Sequence, residues 1–67
     1  MRLSDYLREH GLTQSEFARR AGITQAAVSY LVNGERVPGG RIIRAVSVAT
    51  SGMVGLDDLM PVGKRHG

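Results

Sequence analysis

The sequence predicts an all-α fold, a compact bundle of short helices, and three observations point that way. Apolar residues recur at three- and four-residue spacing, as in Leu3 and Leu7 or Val28 and Leu31, which places them on one side of a helix. Hydroxyl residues suited to capping helix starts, Thr13 and Thr24, alternate with glycines suited to ending helices, Gly11, Gly22 and Gly34. Finally, the one stretch that could also be a strand, residues 41–50, is followed by no two-residue hairpin turn and no second alternating run.

The first helix is expected from Leu3 to Gly11, with Ser4 as N-cap, Asp5 in the favourable first turn and Gly11 as the stop. Leu3 and Leu7 mark its buried side. His10 sits in its last turn, where a positive charge is welcome, and neither it nor His66 has a metal-ligating neighbour at useful spacing. The second helix opens on a capping box, Thr13 with Glu16, and a hydrophobic staple, Leu12 with Phe17. Phe17, Ala18 and Ala21 lie on its inner side. Gln14, Arg19 and Arg20 can stay solvated, although the arginine pair can equally meet phosphates.

Gly22 marks a reversal of the chain. The third helix then opens on Thr24, with Ile23 stapled to Val28, and closes at Asn33 and Gly34. Val28 and Leu31 face inward, which leaves Gln25, Ala26, Ser29, Tyr30 and Asn33 outside. Two short helices joined by one sharp turn over residues 14–34 form a helix-turn-helix, whose second helix is the one offered to a DNA major groove. The outward residues suit that task. A solvated helix usually carries Glu and Lys, whereas Gln, Ser and Asn can both donate and accept; Gln can pair with adenine, and a small Ala can meet a thymine methyl.

Residues 35–41 read as a loop held by Pro38, Gly39 and Gly40. Arg36, Arg41 and Arg44 follow the third helix closely enough to grip the phosphate backbone. Over residues 41–50, Ile42, Ile43, Val46 and Ala49 match a helical stripe, while Val46, Val48 and Thr50 alternate like a strand. The Pro-Gly-Gly lead and the Ser51-Gly52 stop favour a helix, with an α+β fold as the alternative. Met53 and Val54 form a short link, and residues 55–61 a last helical turn ended by Pro61. Leu56, Leu59 and Met60 would then close the open end of the core or meet a partner. Asp57 and Asp58 read as favourable charges at a helix start, not as a metal or acid–base pair. Residues 62–67 are expected to be a disordered tail after a single domain of residues 1–61.

Composition narrows the function. A chain of 67 residues holds one small core and does not suit a multi-step enzyme. Phe17, Tyr6 and Tyr30 are its only aromatics, so that core must be aliphatic and alanine-packed. With no cysteine to staple it, help from a second subunit is expected. Nine Lys and Arg against six Asp and Glu give a net charge of +3, which points to a polyanionic partner. No apolar run reaches the roughly 18 residues that cross a bilayer, and the charged start MRLSDYLREHG is unlike a signal peptide. An intracellular, cytoplasmic location is expected. No phosphate-cradling glycine loop, positioned nucleophile or metal cluster stands out, so neither catalytic residues nor a cofactor are assigned.

At Gln14, Ala18, Gly22, Gln25, Val28, Leu31, Asn33 and Gly34 the sequence resembles the Cro/repressor class of phage and prophage helix-turn-helix proteins. Beyond Gly34, the run GERVPGG, then Ala49-Thr50-Ser51-Gly52, then LDDLMP is similar to small Cro-like and YdaS-like antitoxin regulators. The resemblance covers about residues 3–61 and implies a lambda repressor-like, five-helix all-α domain. Some Cro relatives carry C-terminal strands instead, the α+β alternative above. Carried over by position, it implies base contacts by Gln25, Ala26 and Ser29. Gln14 would touch a phosphate and buttress Gln25, and Tyr30, Asn33 and Arg36 would hold the backbone, with Arg19, Thr24 and Arg41 in supporting places. Ala26 and Ala27 stand where longer polar side chains can occur, which leaves few direct base contacts. The implied partners are double-stranded operator DNA and a second copy of the chain, in a weak homodimer strengthened on DNA. An antitoxin-type role with a toxin partner, and DNA binding secondary, is the alternative.

Overall fold

A computed structural model describes residues 1–59 of the chain. Five α-helices follow one another: α1 (Leu3–Glu9), α2 (Gln14–Ala21), α3 (Gln25–Asn33), α4 (Gly40–Ala49) and α5 (Leu56–Leu59). There is no strand among the described residues, so the α+β alternative is set aside. Met60, Pro61 and the tail of residues 62–67 lie outside the described residues.

The helix boundaries follow from local chemistry. At α2, the Thr13 hydroxyl accepts from the Glu16 amide at 3.0 Å while the Glu16 carboxylate accepts from the Thr13 amide at 2.9 Å, which completes the capping box. The same hydrogen bonds, with the nearby Arg19 and Arg20, hold the Glu16 pKa below its ordinary value. At α3, the Thr24 hydroxyl accepts from the Ala27 amide at 3.0 Å. Leu12 packs against the core and Phe17 sits within it, as a staple requires.

Two expected boundaries move. Ser4 is not the N-cap of α1: Arg2 holds that position without a side-chain bond, and its carbonyl accepts from the Tyr6 amide at 3.0 Å. The driving force is burial of Leu3, 2% exposed, which draws it into the first turn beneath Leu7. Likewise the loop after α3 ends at Gly39, the N-cap of α4, so Gly40 and Arg41 are helical. The β-branched content of α4 is tolerated because Val46 is fully buried and Ile42, Ile43 and Ala49 pack around it.

Leu3 and Leu7, Phe17 and Ala18, Val28 and Leu31, Val46, Val54 and Leu59 make one core drawn from every helix. α2 packs on α3 and α4, and α1 packs on α3. Thr50, only 1% exposed, is the buried polar residue among them. Its hydroxyl donates to the Val46 carbonyl at 2.9 Å and accepts from the Val54 amide at 3.1 Å, so both capacities are used. Asp58 accepts from the Gly55 amide at 3.0 Å, a cap for α5, and lies 3.1 Å from the Met1 ammonium group. Of Leu56 and Leu59, expected to close the open end of the core or meet a partner, Leu59 is 1% exposed and belongs to the core, whereas Leu56 is 50% exposed.

Candidate nucleic-acid interface

The turn between α2 and α3 sets the geometry of the candidate interface. Gly22 takes the left-handed conformation at φ 76°, and its amide and that of Ile23 both donate to the Ala18 carbonyl, at 2.9 and 3.0 Å. This closes α2 and turns the chain within two residues into Thr24, the cap of α3. A Cβ at Gly22 would meet nothing within 4 Å, so the glycine is demanded by backbone conformation and not by crowding. Gly34, at φ 67°, ends α3 in the same way.

Burial divides α3 into two sides. Ala27, Val28 and Leu31 are buried against α1 and α2, whereas Gln25, Ala26 and Asn33 are exposed and Ser29 and Tyr30 half-buried. Ala27 had no place in the expected inner stripe, yet it is 5% exposed, one turn before the buried Leu31 on the same side of α3.

The exposed side is uncharged from Gln25 to Asn33 and has no acidic residue in its first turn. Gln25 is the first residue of α3 and therefore stands at the positive end of the helix dipole. Gln14, the first residue of α2, is half-buried, and no hydrogen bond joins it to Gln25. Thr24 has its hydroxyl committed to the Ala27 amide.

Two contacts at the far end of α3 were not legible in the sequence. The Arg36 guanidinium lies 4.6 Å from the Tyr30 ring centroid, and the Asn33 amide donates to Glu35 at 3.2 Å. Both join residues across the left-handed turn at Gly34, where no fixed spacing relates one side chain to another. The stack contributes about 0.5–1 kcal/mol at an exposed site and holds the Arg36 charge beside the uncharged face.

Arg19, Arg20, Arg36, Arg41 and Arg44 are all exposed, and none is in an ion pair among the described residues. Arg41 occupies the first turn of α4, where a cation opposes the helix dipole unless an anion comes to it. Of the expected base-contacting residues, the structure brings Gln25, Ala26 and Ser29 onto one side of one helix. Tyr30, Asn33 and Arg36 gather at its C-terminal end; Arg19 lies on α2 and Arg41 on α4. Among the described residues no group of three or more His, Cys, Asp and Glu could hold a metal ion. No helix of the described residues is long and apolar enough to cross a membrane.

The helix-turn-helix family HTH_3 matches residues 3–50, which takes in α1 to α4 and the whole of the turn. No curated protein and no solved structure matches the chain.

Proposed function

Since the chain belongs to the HTH_3 helix-turn-helix family, a DNA-binding family of transcriptional regulators, we propose that it is a Cro-like repressor that reads a roughly palindromic operator through α3. The observation that carries this reading is the uncharged, hydrogen-bonding side of α3 with unpaired arginines on the elements around it. In that arrangement Gln25, Ala26 and Ser29 meet base edges, and Gln14, Arg19, Thr24, Tyr30, Asn33, Arg36 and Arg41 hold or support contacts to phosphates. Arg41 gains twice from a phosphate at the start of α4, by its own charge and by satisfying the helix dipole.

Two copies would place their α3 helices in successive major grooves about 34 Å apart, and repression would follow from occlusion of the promoter. The homodimer is weak when free and strengthened on DNA, because each copy has only a small aliphatic core to offer. The protein acts with DNA in the cytoplasm of a bacterial or phage-infected cell. An antitoxin-type module, whose expected docking patch has Leu59 in the core and Leu56 exposed among the described residues, is the lesser reading.

The test is binding of the purified protein to its own upstream region and to random DNA at two salt concentrations. A protected site with half-site symmetry is expected, together with an affinity that falls by nearly one power of salt concentration for each phosphate neutralised. Equal, weak binding to both DNAs would overturn the operator reading.

A further inference from the structure

A groove of about 580 Å³ runs between the C-terminal end of α2 and one side of α4. It is lined by Ala21, Ala45, Val48 and Ala49, with Arg20, Arg41 and Arg44 beside them. Arg41, Arg44, Ala45 and Val48 recur at helical spacing, so they form a strip about two turns long on α4. Val48 is 73% exposed, the most exposed large apolar side chain of the described residues. All three arginines are exposed; Arg41 and Arg44 are in no ion pair among the described residues, and Arg20 lies near enough to Glu16 to lower its pKa.

From this we propose that the α2/α4 groove is a docking site for an acidic amphipathic helix of a partner protein. Charge decides the occupant. Three cations beside apolar side chains call for a ligand with carboxylates flanking an apolar stripe. Residues 60–67 of the chain itself carry Lys64 and Arg65 and no Asp or Glu, so their composition does not match the groove's charge. DNA offers phosphates but no apolar stripe for Val48 and Ala45. The small lining residues Ala21, Ala45 and Ala49 allow a partner helix to approach to the short end of the usual 8–10 Å axial separation. Carboxylates at i and i+4 on that helix then reach successive arginines, and its leucines cover Val48. The proposal does not depend on base reading by α3, although Arg41 is shared with the phosphate contacts proposed above.

The test uses the whole chain, isotope-labelled, and a synthetic 16-residue helical peptide with Leu at i, i+3, i+4 and i+7 positions and Glu on both flanks. Amide shifts confined to the neighbourhood of Arg20 and residues 41–48 are expected, with saturable binding. A scrambled peptide of the same composition and a Glu-to-Lys peptide should bind at least tenfold more weakly. Val48→Asp and Arg44→Glu, both at exposed positions, should each weaken the acidic peptide about tenfold while the melting temperature stays near that of the parent. Absence of binding, equal binding of the scrambled peptide, shifts centred on α3, or indifference to both substitutions would each overturn the proposal.

Discussion

At the scale of the residue, the interface depends on side chains that carry no charge. Gln25 is exposed at the first position of α3, and both its donor and its acceptor are free to face a base. A bidentate pair with adenine discriminates by about 1–3 kcal/mol. Gln25→Ala should therefore reduce the ratio of operator to scrambled-DNA affinity by roughly tenfold or more while leaving binding to scrambled DNA little changed. Competition gel shifts at fixed salt measure this; an unchanged ratio would remove Gln25 from the readout. Glu35 acts in the opposite sense. Its carboxylate accepts from Asn33 and so competes with phosphate for that donor, and its charge repels the DNA backbone. Glu35→Gln should tighten binding to any DNA by roughly twofold to tenfold at low salt, an effect that fades as salt screens the charges. Titration with a random duplex at two ionic strengths checks it, and weaker binding would mean that Glu35 orders the loop instead.

At the scale of the element, the α2–α3 pair depends on one backbone conformation. Because Gly22 has open space where a Cβ would go, Gly22→Ala tests conformation alone. The left-handed penalty is about 1–2 kcal/mol, and urea unfolding should show a loss of that size with an unchanged slope. A loss below a few tenths would mean that the turn adapts. This is also the element most legible in the sequence. Thr13 with Glu16, Thr24, Gly22 and Gly34 are short-range signals, each satisfied by bonds within a few residues, so their positions could be read directly. Ser4 misled for the same reason that the others succeeded. It has the chemistry of a cap, but the burial of Leu3, a tertiary term, moved the helix start ahead of it. The outward placement of Gln25 and Ala26 followed from helical period. The stack of Arg36 on Tyr30, the Asn33–Glu35 bond and the α2/α4 groove did not, since each depends on segments brought together by the turn or the fold.

At the scale of the whole molecule, the fold joins a small core to an arginine-rich surface. Every helix contributes to that core, yet it is filled by leucines, valines, an alanine and a single phenylalanine, so a lone subunit has little stability to spare. Among the described residues the exposed large apolar side chains, Met1, Val37, Val48, Met53 and Leu56, are spread along the chain. Such a surface suits a dimer assembled by DNA more than one formed in advance. Sedimentation at micromolar concentration should accordingly show a monomer without DNA and two copies on an operator duplex. A tight dimer without DNA would refute that order of assembly.

The buried Thr50 hydroxyl, held between the Val46 carbonyl and the Val54 amide, ties time as well as geometry. Val54 lies in an irregular link, where an amide would ordinarily trade its proton with solvent in moments. Here that amide is fully buried and bonded to α4, so it can exchange only when α4 and the link part. In deuterated buffer the Val54 proton should outlast those of the exposed loop after α3 and persist as long as the protons of α2. Thr50→Val, which strands that amide at a cost of about 1–3 kcal/mol, should shorten its lifetime to that of the loop. The last helix would then open and close on its own clock while the DNA-reading pair stays shut.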